Sequence, residues 1–119
     1  MSTSRRRKDD RTIRAIRAIA RQCGYAVGVH GARSEKDLDL IACPWTPAAT
    51  SAVELIDRLC AGVPLWNGCI RDTRPNKPHG RVAHLLLRPP MSGQGPHMRR
   101  IIDLSIMPLA NPQPERTEF

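Results

Sequence analysis

The chain has 119 residues, 40% of them apolar, and carries a formal charge of +8 with a pI near 10.4. That length fits one domain, and no apolar run approaches the ~18 residues of a membrane span. The arginine-rich start lacks the apolar stretch of a secretory signal, so a cytoplasmic protein is expected.

Residues 1–10 read as a disordered basic tail around Arg5-Arg6-Arg7-Lys8, with Asp9 or Asp10 able to cap the helix that follows. From Arg11 to Cys23, Ile13, Ile16, Ala20 and Cys23 recur at helical spacing and define a buried face. Arg11, Arg14, Arg17 and Arg21 gather on another side, suited either to a phosphate backbone or to solvent. Gly24 ends the helix. Tyr25–His30 reads as a strand, Gly31 opens a tight connection, and Asp37–Pro44 reads as a second strand in an antiparallel hairpin. Pro44-Trp45-Thr46-Pro47 breaks that strand, with Trp45 expected to cover the end of the core and base stacking as its alternative role. Ser51 and Glu54 form a capping box for a second helix that turns Val53, Ile56, Leu59 and Cys60 inward and stops at Gly62. Leu65–Asp72 is the expected third strand, Thr73–Gly80 a polar loop, Val82–Arg88 an apolar strand and Pro89–His97 a Gly/Pro-rich loop. Ile101–Pro108 is the last strand, and residues 109–119 form a loose tail.

These elements predict a single domain over residues 11–108. Its class is α+β, a small mixed or mostly antiparallel sheet with helices on one face. Cys23, Cys43, Cys60 and Cys69 contain no Cys-x-x-Cys pair and have no histidine at zinc-finger spacing, so reduced, mostly buried thiols are expected. Of the 19 basic residues only Lys8, Lys36 and Lys77 are lysines. The arginine fork binds two phosphate oxygens at once, which points to a phosphate-bearing partner.

The chemistry centres on three aspartates. Residues i and i+2 of a strand project to one face roughly 6–7 Å apart, so Asp37 and Asp39 project together while Leu38 and Leu40 face the other way. Side-by-side carboxylates repel unless a cation or a shared proton lies between them. A hard divalent cation suits that pair, and ion pairs with the many arginines are the alternative. In the last strand Asp103, Ser105 and Met107 share one face, with Ile102, Leu104 and Ile106 on the other. A carboxylate between two large apolar residues is hard to explain by packing, although an ion pair on an edge strand would do so. If the two strands are neighbours, Asp103 completes a cluster of the kind that holds Mg²⁺ for phosphoryl or nucleotidyl transfer. Lys77-Pro78-His79-Gly80-Arg81 reads as a phosphate-facing loop or as an ordinary turn. No Ser-His-Asp order, Walker loop or dinucleotide glycine pattern occurs.

The ordered set His30-Gly31, Asp37-Leu38-Asp39-Leu40-Ile41-Ala42 with Pro44-Trp45, Lys77-Pro78-His79-Gly80-Arg81, and Ile102-Asp103-Leu104-Ser105-Ile106-Met107-Pro108 resembles the polymerase-β-type nucleotidyltransferases. It is similar in particular to small nucleotidyltransferase-like proteins of bacteriophages and related elements. The resemblance spans Cys23 to Pro108. It implies Mg²⁺ or Mn²⁺ and a nucleoside triphosphate as cofactors, with Asp37, Asp39 and Asp103 as catalytic metal ligands. His30, Gly31, Lys77, His79 and Arg81 are then the nucleotide and phosphate contacts, with Arg33, Ser34 and Lys36 as candidate substitutes for the phosphate-gripping serine of the family's turn, and the acceptor is RNA, protein or a small molecule. Two departures stand out: Ala32 follows the glycine where the family has serine, and only Ala32–Lys36 separate Gly31 from Asp37. They motivate a second expectation, a non-catalytic protein of the same fold that binds nucleic acid or a host protein, for example a phage inhibitor of host defence.

Overall fold

Alternation of apolar residues builds the sheet, and two amphipathic helices close one side of it. In a computed structural model, which describes residues 3–30, 37–64, 66, 69–74, 77–87 and 100–109, the order is α1 (Thr3–Gln22), β1 (Tyr25–Val29), β2 (Asp37–Pro44), α2 (Ala52–Gly62), β3 (Ile70–Arg74), a 3₁₀ turn (Pro78–Gly80), β4 (Val82–Leu87) and β5 (Ile101–Ile106). The five strands form one mixed sheet in the order β1-β2-β5-β4-β3. The β1–β2 hairpin is antiparallel, as the short connection predicts, and β2 pairs with β5 in parallel. Pairing of β5 with β4, and of β4 with β3, is antiparallel. The α+β class with a mixed sheet and helices on one side is therefore the observed one.

The helix-side face contributes Tyr25, Val27, Leu38, Leu40, Ala42, Leu86, Ile102, Leu104 and Ile106 to the core. Against it lie Ile13, Ile16, Ala20 and Cys23 of α1 and its C-terminal turn, the four apolar positions that the helical period selects. Burying an aliphatic side chain of this size contributes about 1.5–3 kcal/mol, so these rows are what hold the helices to the sheet.

Several expectations are corrected. The first helix starts at Thr3 rather than after Asp10. Asp9 is no cap; it is buried against Arg100, with Arg100 Nη2 donating to Asp9 Oδ2 at 2.6 Å across 91 residues of sequence. That long-range contact gives the first turns of α1 something to dock on, which a polar composition does not reveal. In α2, Leu55 replaces Val53 on the buried face, and Val53 is 67% exposed. Ser51 does cap this helix, its Oγ accepting from Glu54 N at 3.2 Å. Gly62 ends α2 without a left-handed turn, and a Cβ there would meet only the movable end of the Ile19 side chain, with Cδ1 at 2.8 Å. Trp45 is 65% exposed and covers no core. The third strand is shifted to Ile70–Arg74, absorbing two residues expected in the following loop.

All four cysteines are reduced, with Cys23, Cys60 and Cys69 buried and Cys43 exposed. The Cys60 and Cys69 sulfurs are 2.8 Å apart, and burial, more than the neighbouring thiol, pushes Cys60 up to about 12. At neutral pH the nucleophilic thiolate of Cys60 is scarce.

Candidate functional site

The face of the sheet opposite the helices carries the predicted carboxylates. Parallel register sets Asp39 directly beside Asp103 and Asp37 beside Ile101. Adjacent strands lie ~4.8 Å apart, and Asp37 is one strand repeat, ~6.6 Å, from Asp39 on the same face. β5 is an interior strand between β2 and β4, so the edge-strand explanation of Asp103 does not hold. Asp39 and Asp103 are half-buried and Asp37 is exposed.

Electrostatics record the proximity. The Asp39 carboxyl is raised above its ordinary range, first by burial and then by the negative charges of Asp103 and Asp37. His30 offsets part of this; its backbone N–H donates to Asp39 O at 2.8 Å, extending the hairpin ladder by one bond and setting the ring's residue level with Asp39. Among the described residues, neither Asp39 nor Asp103 has an ion-pair partner. Arg74 sits on the same sheet face but is engaged by Asp72, with Nη2 to Oδ2 at 2.9 Å and Nε to Oδ2 at 3.2 Å, and Asp103 adds only a weaker pull on it. Two like charges in adjacent register with no fixed cation form a site that favours a cation or a proton. No group of three or more potential ligands is arranged among the described residues to hold a metal by itself.

The other predicted contacts divide into two groups. Gly31, Arg33, Ser34 and Lys36 lie outside the described residues, in the connection that joins His30 to Asp37. Lys77, His79 and Arg81 belong to the turn that leads into β4, and only the backbone of His79 is described. Antiparallel register pairs Val82 with Ile106, which places this turn at the far end of β5 from Ile101. At ~3.3 Å per residue Ile106 is ~10 Å from the level of Asp103 and the turn lies beyond it, so the turn is not brought to the carboxylates. Lys77 N donates to Arg81 O at 3.2 Å, closing the turn on itself. Among the described residues, Arg81 Nε is buried without a hydrogen-bond partner.

The Asp72–Arg74 pair is the part of this face that sequence reading misses. Its signal is the alternation Ile70-Arg71-Asp72-Thr73-Arg74, which is hidden when Thr73 and Arg74 are assigned to a loop.

A second concavity lies beyond the edge strand β1, lined by Arg17, Arg21, Tyr25, Ala26, Val27 and Trp45. Along β2, Trp45 is six residues from Asp39, or ~20 Å, so the two places are separate. Neither protein-family models nor curated proteins match the chain. Among the described residues no helix is long and apolar enough to cross a membrane.

Proposed function

We propose that the chain is a Mg²⁺- or Mn²⁺-dependent nucleotidyltransferase that moves a nucleotide from a nucleoside triphosphate to an acceptor hydroxyl on RNA, protein or a small molecule. The observation that carries this reading is the register of Asp39 and Asp103 on parallel interior strands, with Asp37 on the same face and no ion pair to either of the first two among the described residues. Asp37, Asp39 and Asp103 would hold the divalent ion. When bound, the ion would neutralise the phosphates and stabilise charge developing on them. The chain's own groups would then position the reactants. Asp103 would accept a hydrogen bond from the acceptor hydroxyl, and His30, level with Asp39, would contact the nucleotide. Arg33 and Lys36, in the connection that leads into Asp37, are the proposed phosphate contacts. Burial and like charge both raise Asp39, and such a carboxyl is stabilised in its ionised form when a cation arrives.

The test is transfer of label from each α-labelled nucleoside triphosphate in the presence of Mg²⁺ and cell extract. Wild type should label an acceptor, and Asp39→Asn or Asp103→Asn should lower the rate at least a hundredfold. Absence of transfer from all four nucleotides counts against catalysis.

A specific observation favours a second reading. The described basic turn Lys77–Arg81 is at the opposite end of β5 from the carboxylates, and Ala32 occupies the position of the family's serine. A non-catalytic protein of this fold, binding nucleic acid or a host protein as a phage inhibitor of defence would, needs neither feature.

A further inference from the structure

Five exposed arginines run the length of α1. At 100° and 1.5 Å per residue, Arg7, Arg11, Arg14, Arg17 and Arg21 fall within an arc of about 120° over about 21 Å, facing away from the buried row of Ile13, Ile16 and Ala20. Successive charges are about 4.5–6 Å apart along the axis, on the scale of neighbouring phosphates in a nucleic-acid strand. Among the described residues, Asp10 is the one acidic residue on that arc, and no acidic side chain lines the groove where the stripe ends.

At that end the stripe meets an aromatic platform. Trp45 is 65% exposed beside Arg17 and Arg21. A solvated arginine face does not account for an indole displayed to water. Nor is the indole carried on a loose loop. Trp45 N donates to Gly24 O at 3.0 Å and Thr50 N to Cys23 O at 2.9 Å, fastening the loop to the end of α1. Gly24, at φ +89°, lies so close beneath it that a Cβ there would be 2.7 Å from both Ala49 Cα and Thr46 Cγ2. The Tyr25 hydroxyl donates to Thr50 O at 2.7 Å, and Arg17 Nε donates to Val27 O at 2.9 Å, fixing the floor and one wall.

We infer that this surface binds single-stranded nucleic acid, with a base stacked on the Trp45 indole and the following phosphates laid along Arg21, Arg17, Arg14, Arg11 and Arg7. Aromatic stacking next to a basic track is the chemistry of sequence-tolerant single-strand binding. A duplex keeps its bases inside the stack and offers the indole no partner, so the platform selects against it. The stripe is on the helix side of the sheet and the carboxylates are on the other, so this surface stands whether or not the carboxylates are catalytic.

The experiment measures fluorescence anisotropy of labelled oligouridylate, oligothymidylate and a blunt duplex with the full chain, from about 50 to about 200 mM salt. Tight binding of either single strand supports the assignment, and the ratio of the two reports on the sugar. The plot of log K against log salt should have a slope of about −2 or steeper, since each single-strand phosphate neutralised contributes about −0.7. Trp45→Ala should weaken binding at least about fivefold and Trp45→Phe should retain most of it. Arg14→Gln and Arg21→Gln should each flatten the slope by about 0.7 while leaving Tm unchanged. Asp39→Asn should bind as wild type does. Duplex bound as tightly as single strand, silence of Trp45→Ala in a folded variant, or tighter binding to phosphatidylserine vesicles than to any oligonucleotide would overturn it.

Discussion

Asp39 works against the fold that holds it. Its carboxyl is raised above the ordinary value of 3.8, so the folded state binds its proton more readily than the unfolded state does. The stabilising protonated form persists below pH 3.8 and is lost as pH rises through the raised value, leaving a charge cost at neutral pH. Asp39→Asn is therefore expected to raise the Tm of the metal-free protein at pH 7, measured by calorimetry. Under the proposed function wild type should also gain Tm with Mg²⁺ by mass action, about 2.7 kcal/mol at a hundred times Kd, while Asp103→Asn should not. His84 has the opposite proton sign. Burial, with a smaller push from Arg71, lowers it below 6.5; its Nδ1 lies 3.1 Å from Thr73 Oγ1, and its Nε2 is buried with no partner among the described residues. The unfolded chain takes up the proton first as pH falls below 6.5, so stability drops from there down to the folded-state value and then levels. Urea unfolding at pH 7 and pH 5 should record that loss in wild type and a smaller one in His84→Gln.

At the scale of elements, a buried ion pair adds to the apolar row of α1 by fastening the first turns of that helix. The Asp9 and Arg100 side chains are 6% and 3% exposed. Removing one partner of a buried pair typically costs about 3–5 kcal/mol, a large share of the roughly 5–15 kcal/mol that holds a domain together. Asp9→Ala should lower unfolding stability by about that amount in a denaturant titration, and Asp9→Leu with Arg100→Met together should recover most of it. This contact also explains where sequence reading stopped short. The apolar face of α1 is legible because Ile13, Ile16 and Ala20 repeat within one helix. The ten residues before it are polar, and their anchor is far away in sequence, so nothing local announces a helix there. Val53 and Leu55 were indistinguishable in the same way: both are apolar near the start of α2, and only the angle at which the helix meets the sheet selects Leu55.

Across the whole molecule, charge is divided between two sides. The arginine stripe lies with the helices, and Asp37, Asp39 and Asp103 lie on the opposite sheet face. The strands carrying the aspartates are legible from two-residue alternation, and their two-sidedness follows from it. That β2 and β5 are neighbours, in parallel and with Asp39 level with Asp103, is set by non-local packing that no local pattern encodes. The position of the Lys77–Arg81 turn, remote from the carboxylates, follows from that same register.

The β2–β5 pairing is also the line along which the sheet closes. β1 and β2 pair through a short connection, and β3, β4 and β5 are joined by consecutive antiparallel contacts, whereas the parallel ladder, with Met107 N donating to Ala42 O at 3.0 Å, joins segments far apart in the chain. Long-range closure of this kind is where folding meets its entropic barrier. Asp39 and Asp103 are brought together on opposite sides of that line, so their repulsion is felt during closure rather than only in the finished fold. Asp103→Asn should therefore increase the refolding rate in stopped-flow experiments with little change in the unfolding rate, whereas a substitution whose contacts form after the barrier would do the reverse. A cation captured by the two carboxylates would speed closure for the same reason, making assembly of the sheet and completion of its charged site one kinetic event.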